Sequence, residues 1–394
     1  MSERLFLRAG TLLTPRSTFE RVTVVVSAGR IEALVAGAAG GCGEAVIDAS
    51  DGIVVPGFID LHVHGGAGHD TMDGTPEAVR GLAAFHARHG TTALLPSTVA
   101  APDDELEQAL QAVAAVMDEP PAGARVLGAH VEGPFLSQEK RGAHLAAHVR
   151  PPRGREERWL WDHLGAVRRV TLAPELPGAL ELIGELRRAG VLVSLGHSTA
   201  GEEGVAAAAL AGASHVTHLY NAMSALEKVG PLRRVGLAEL GLVRDDLTVE
   251  VIADGWHLPV PLLQLIVRAK GPARTALVTD AMRAAGLAEG RYVLGREGAM
   301  GVTVGGGMAV TDEGGLAGSI ATMEEVVRSA VHRVGLALAQ AVQMATLTPA
   351  QILGVADRLG EIAPGKAADL VVLDRDLGVV ATIVGGRVVH QRDA

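Results

Sequence analysis

The sequence predicts an α/β fold: a TIM-type (β/α)8 barrel carrying a small β-sandwich domain built from both chain termini. Three observations carry this expectation. Eight short apolar runs rich in β-forming residues recur through the middle of the chain, and most are followed by a stretch with helical spacing. Both ends instead read as short strands and turns. Glycine, at 50 of 394 residues, sits among apolar runs rather than in polar tracts, which suits many tight βα loops and not disorder.

Taken in order, the N-terminal strands are RLFLRAGTLLT, RVTVVVSAGRIEALV and EAVIDASDGIVVPGF, with alternation and turns typical of a β-rich module. GEIAPGKAADLVVLD and VVATIVGGRVV repeat that texture at the other end. The expected domains are therefore residues 1–55 and 359–394 for the sandwich and 56–358 for the barrel. The eight middle runs fall at 58–62, 91–96, 125–131, 169–174, 191–196, 215–219, 247–253 and 275–280. Between them lie stretches such as TPEAVRGLAAFHARHG and ALELIGELRRAG, helical in spacing and closed by glycine. A doubly wound sheet would give similar text, so the count of eight decides for a barrel.

Bulk properties exclude several roles. Net charge is −10, from 35 basic and 45 acidic residues, which argues against a nucleic-acid partner while leaving room for a small anionic substrate in a locally basic pocket. The single cysteine, Cys42, rules out an internal disulfide and fits a reducing compartment. MSERLFLRAG offers no long apolar stretch, so neither a signal peptide nor a membrane span is expected. A cytoplasmic enzyme is the default expectation.

Barrel enzymes place their chemistry at the C-terminal ends of the strands. Here those ends carry His62 and His64 after the first run, Glu132 after the third, His197 after the fifth and His218 after the sixth. Asp254 and His257 follow the seventh, and Asp280 the eighth. Singly, each has an ordinary explanation: His197 as a structural histidine, Glu132 as a solvated loop carboxylate, Asp280 as a helix cap. Jointly those explanations fail, because caps and solvated carboxylates have no reason to gather on successive strand ends. Histidines and carboxylates converging at one barrel mouth form a ligand set suited to zinc. His86, His89, His163, His332 and His390 read as surface or packing residues, and His69, His148 and His215 stay undecided.

PGFIDLHVHG, HVEGPF, KRGAH, GHSTA, THLYNAM, ADGWH, VTDAM and LAGS, in this order and spacing, closely resemble the N-acetylglucosamine-6-phosphate deacetylase family of the amidohydrolase superfamily. The resemblance covers nearly the whole chain. It implies hydrolysis of the acetamide of N-acetylglucosamine 6-phosphate, with metal ligands at Glu132, His197 and His218 and a general acid/base at Asp280. It further implies substrate contacts at Ala143 and His144, Asn221 and Ala222, Asp254 and His257, and Leu316, Ala317 and Gly318. One departure is visible: the family's short loop with an Arg-Glu-Pro-Gly tetrad is replaced by SALEKVGPLRRVG. Arg233 is then the expected phosphate contact, with Arg234 and Lys228 behind it. Because that arginine comes from a neighbouring subunit in the family, a homodimer is expected.

Many superfamily members bridge two metals with a modified lysine. No lysine stands at a barrel-strand end here, since Lys140 is in a loop and Lys270 precedes the eighth run, so Glu132 is the expected bridge. With His62, His64 and Asp280 present, two divalent ions are favoured over one, the His62/His64 site being the weaker. The alternatives are a deacetylase for a related substrate such as N-acetylgalactosamine 6-phosphate, another amidohydrolase, or a non-enzymatic assembly protein on the same fold.

Overall fold

Apolar runs too continuous to face water on either side become the inner ring of the protein, whose computed structural model describes residues 4–40, 45–296 and 298–392. Cys42 lies outside the described residues. The ring strands are Phe58–Val63, Thr91–Pro96, Ala129–Glu132 (preceded by Arg125–Val126), Val167–Leu172, Leu192–Leu195, His215–Val216, Thr248–Ile252 and Thr275–Val278. Among the described residues these are eight segments of the ring, each parallel to its neighbours. Two isolated parallel bridges complete the circle: Ser97 with His130 continues the pairing of the second strand with the third, and Val63 with Ala281 joins the end of the eighth strand to the first.

Helices cover the ring for reasons visible in their sequences. Pro76–Arg88 starts at Thr75, whose side chain accepts from the Ala78 amide, and proline at its first position costs no hydrogen bond. Val79, Leu82 and Ala83 then fall on one buried face. In Ala179–Arg188 the same role belongs to Leu182, Ile183 and Leu186. Inside the ring, Ile59, Leu61, Ala93, Leu95, Ile252, Ala276 and Val278 form the apolar floor beneath the site.

The two chain ends form one seven-stranded sheet, with strand Ala45–Pro56 paired parallel to Leu5–Leu13 and antiparallel to Leu370–Leu373. Its inward residues, among them Leu7, Val24, Val54 and Ile383, make a second core. A further sheet of Gly290–Leu294, Met300–Gly305 and Met308–Thr311 follows the eighth ring strand. From sequence this segment falls within the expected 56–358 barrel, with no strand assigned to it. Its strands are short and glycine-broken, so they carry little periodicity, yet they wall one side of the ring's mouth. No helix among the described residues is long and apolar enough to cross a membrane.

Candidate metal centre and active site

The strand ends converge on one carboxylate. Glu132 Oε2 lies 3.2 Å from both His62 Nε2 and His64 Nε2, while Oε1 lies 3.2 Å from both His197 Nε2 and His218 Nε2. Asp280 Oδ1 is 3.3 Å from His62 Nε2 and 3.1 Å from His64 Nε2. All six side chains are buried. The imidazole nitrogens also face one another, at 3.2 Å between His62 and His64 and 3.0 Å between His218 and His197. Two neutral nitrogens that both present lone pairs repel at that range, so a positive charge belongs between them.

The outer faces of the rings fix which nitrogen carries the proton. His197 Nδ1 donates to the Lys140 carbonyl at 2.8 Å, and His64 Nδ1 faces the Ser97 carbonyl at 3.3 Å. His62 Nδ1 donates to Glu250 at 2.9 Å. Each arrangement turns a bare Nε2 toward Glu132, the orientation metal-ligating histidines adopt. His218 Nδ1 is buried with no partner, which leaves its Nε2 as the ring's useful contact. The donor set therefore fits a divalent ion: His62, His64 and Glu132 fall in one compact group of candidate ligands.

Electrostatics point the same way. Burial opposes charge on His62 and His64, but Glu132 and Asp280 overcome it and push both upward, His64 to about 9. Burial likewise raises Asp280 while the two histidines pull it down to about 2, and Glu132 is held well below the usual carboxylate range. The centre thus demands positive charge, from protons or from an ion that displaces them.

Local backbone strain aims these side chains. His197 (φ 49°), His218 (φ 28°), Tyr220 (φ 71°), Ala222 (φ 45°) and Asp280 (φ 50°) all adopt left-handed conformations that L-residues avoid. Gly318 is required beside them, since a Cβ there would sit 2.5 Å from the Asp280 carbonyl oxygen.

Above the centre lies a cleft of about 500 Å³. It is lined by His64, Glu132, His197, His218 and Asp280, and by Ala143, His144, Asn221, Ala222, His257, Leu316 and Gly318. His144 Nδ1 accepts from the Ala100 amide at 3.0 Å, so its proton sits on Nε2, 3.7 Å from Glu132. Burial, aided by His197, holds that ring neutral. Asp254 does not line the cleft; its carboxylate accepts from His257 Nδ1 at 2.8 Å and orients that ring. Ala317 is fully buried behind its neighbours. Arg233, Arg234 and Lys228 stand exposed on the hairpin Glu227–Val229/Leu232–Arg234, and none lines the cleft of its own chain.

Residues the sequence reading passed over complete the site. Leu294 and Thr311 come from the three-stranded sheet, and Arg141 spans the mouth to Glu313 at 2.6 Å. Asp60 accepts from the His62 and Thr279 amides at 3.2 and 3.3 Å and from the Thr279 hydroxyl at 2.5 Å, tying the first ring strand to the last. Burial raises Asp60 to about 7. His215, left undecided from sequence, lies under the site against Glu250 at 3.2 Å.

The chain is similar to several known proteins. A family model described as the amidohydrolase family matches residues 53–389. An N-acetylgalactosamine-6-phosphate deacetylase of Escherichia coli O157:H7 is 40% identical over 341 residues, covering 85% of this chain and 87% of that one. An N-acetylglucosamine-6-phosphate deacetylase of Vibrio furnissii is 38% identical over 338 residues, covering 85% and 82%. Among solved structures, a variant of the Mycobacterium smegmatis N-acetyl-D-glucosamine-6-phosphate deacetylase, in complex with N-acetyl-D-glucosamine 6-phosphate, superposes with a TM-score of 0.90 at 36% identity, over 98% of this chain and 99% of that one.

Proposed function

The chain belongs to the amidohydrolase family, and from that membership we propose that it hydrolyses the acetamide of N-acetyl-D-glucosamine 6-phosphate to D-glucosamine 6-phosphate and acetate, in amino-sugar catabolism and recycling. One observation carries the reading: a buried glutamate whose two oxygens are each shared by two imidazole nitrogens, at the foot of a cleft of about 500 Å³. That volume suits a sugar phosphate.

Glu132, His197 and His218 would hold one divalent ion, and His62, His64, Asp280 and Glu132 a second. Zinc suits this mixed imidazole and carboxylate set, with two ions favoured and the His62/His64 one the weaker. When bound, the metal supplies Lewis acidity and acidifies the attacking water. Amides resist hydrolysis because water is a poor nucleophile and an amine a poor leaving group. His144 addresses the carbonyl: its Nε2–H donates to the oxygen as negative charge gathers there. Asp280 addresses both remaining difficulties, accepting the proton that water gives up on attack and delivering it to the nitrogen as the C–N bond breaks.

His257, oriented by Asp254, and Asn221 and Ala222 would position the sugar phosphate, with Ala143, Leu316, Ala317 and Gly318 shaping the acetamide end. For the phosphate itself, Arg233 is the candidate. It stands opposite Lys228 across the hairpin, two like charges that an anion would reconcile. A homodimer in which this hairpin enters the partner's cleft supplies the missing cation. The terminal sheet is read as a sandwich domain (1–55 and 359–394) on a 56–358 barrel, in a cytoplasmic enzyme.

The galacto epimer is the second reading, favoured by the 40% identity to the Escherichia coli protein. Acetate release from both sugar phosphates tests the choice. Turnover of the gluco compound with at most weak turnover of the galacto one is expected; the reverse preference replaces the substrate, and no acetate from either removes the activity.

A further inference from the structure

Beneath the centre, inside the ring, sits a buried ion pair that the chemistry above does not use. Glu250, on the seventh strand, places Oε2 2.6 Å from Arg169 Nη1 and 3.2 Å from His215 Nε2. Arg169, on the fourth strand, spends its remaining donors on Ser194 Oγ at 2.9 Å, the Leu61 carbonyl at 3.1 Å and Thr217 Oγ1 at 2.8 Å. Both side chains are wholly buried. Barrel interiors are ordinarily filled by branched aliphatic residues, and replacing a buried ion pair with such residues is often neutral or stabilising. Stability alone is thus a weak reason for this pair to stand here.

Its outward contacts give a better one. Glu250 Oε1 accepts from His62 Nδ1 at 2.9 Å and from the His218 backbone amide at 3.2 Å, so one oxygen touches a candidate ligand on each side of Glu132. Of these two Oε1 contacts, only the one to His62 reaches a candidate ligand's ring. A neutral imidazole chooses between two protonation forms, and an acceptor locked at Nδ1 selects the one whose bare nitrogen points the other way, toward His64, Glu132 and Asp280. Arg169 keeps that acceptor anionic and stationary.

We propose that Glu250, pinned by Arg169, is the positioning residue that makes the His62/His64 half of the centre a metal site. The inference rests on the two-ion reading. Loss of the carboxylate should loosen His62 and weaken the second ion by about 10–100-fold, while the Glu132, His197 and His218 half keeps its ion.

The test is zinc bound per folded subunit, by elemental analysis and by titrating metal-free protein with Zn²⁺, for wild type and Glu250→Gln. Wild type at two ions and the variant at one, with a weakened second titration step, is the expected result. Two ions of unchanged affinity in the variant overturn the proposal, as does equal weakening of both steps. Should Glu250→Gln misfold because Arg169 is left unpaired, Arg169→Gln/Glu250→Gln removes both charges and takes the same measurement. Failure of that double variant to fold would assign the pair to stability and likewise overturn the proposal. Wild type at a single ion defeats the two-ion reading itself, and does so before any variant is compared.

Discussion

Two buried glutamates, Glu132 and Glu157, are each ringed by nitrogen, and they end differently. Glu157 accepts from both Arg150 and Arg153 side chains, from the Arg153 amide at 2.9 Å and from the Trp159 indole at 2.8 Å. Guanidinium, amide and indole donors hold their protons at any ordinary pH, so Glu157 is satisfied by the chain alone. Glu132 faces four imidazole nitrogens, and the rings of His62, His64 and His197 have their far sides already committed to carbonyls or to Glu250. Its neighbours are donors only when something cationic is added. Burial and acidity are shared by the two glutamates; the difference lies in whether the partners' protons are permanent, and that separates a structural carboxylate from a candidate ligand.

The contrast yields graded expectations. Asp280→Asn, which keeps the shape and removes the base, should lower kcat by about 10²–10⁴-fold while the ion at Glu132, His197 and His218 stays bound; steady-state acetate release beside elemental analysis checks both. Wild-type turnover in that variant would end the proposed mechanism. Replacing His62 and His64 together with asparagine should cut bound metal by about half without necessarily abolishing turnover. Unchanged metal content would mean that this half of the centre behaves like Glu157, complete without an ion. Glu157→Gln should touch neither metal nor turnover, and cost about 2 kcal/mol of stability, after discounting for solvent around the half-exposed Arg153. Burial raises Glu157, but its hydrogen bonds bring it to about 2 against 4.5 for an ordinary glutamate. Its contribution is therefore full above pH 4.5 and fades as pH falls toward 2. Urea unfolding of wild type and variant should accordingly converge between pH 6 and pH 3.5, and parallel curves would contradict the assignment.

Legibility from sequence followed the same divide between local and distant causes. The ring strands were readable because burial on both faces writes an uninterrupted apolar run, as in FIDLHV and TALV. Histidines and carboxylates at strand ends were readable because the fold class says where those ends meet. Arg169 and Glu250 were not, since a lone charge within RVTLAP or LTVEVIA looks like an outward-facing residue; only closure of the ring brings positions 81 apart into one ion pair. The Gly290–Thr311 sheet escaped because its strands are too short and glycine-rich to show alternation. Arg233 is expected at the phosphate by analogy, but its exposed hairpin does not line the cleft of its own chain.

The left-handed residues around the mouth carry a consequence for anyone who sets out to toughen this protein. Each such residue costs roughly 1–2 kcal/mol that glycine would not. A selection for heat tolerance should therefore find Tyr220 and Ala222 among the easiest gains, and collect there substitutions that relax the backbone and let the neighbouring candidate ligands drift. Robustness and catalysis compete for the same few torsion angles, so a hardened variant is best sought in the terminal sheet, which contributes no residue to the cleft.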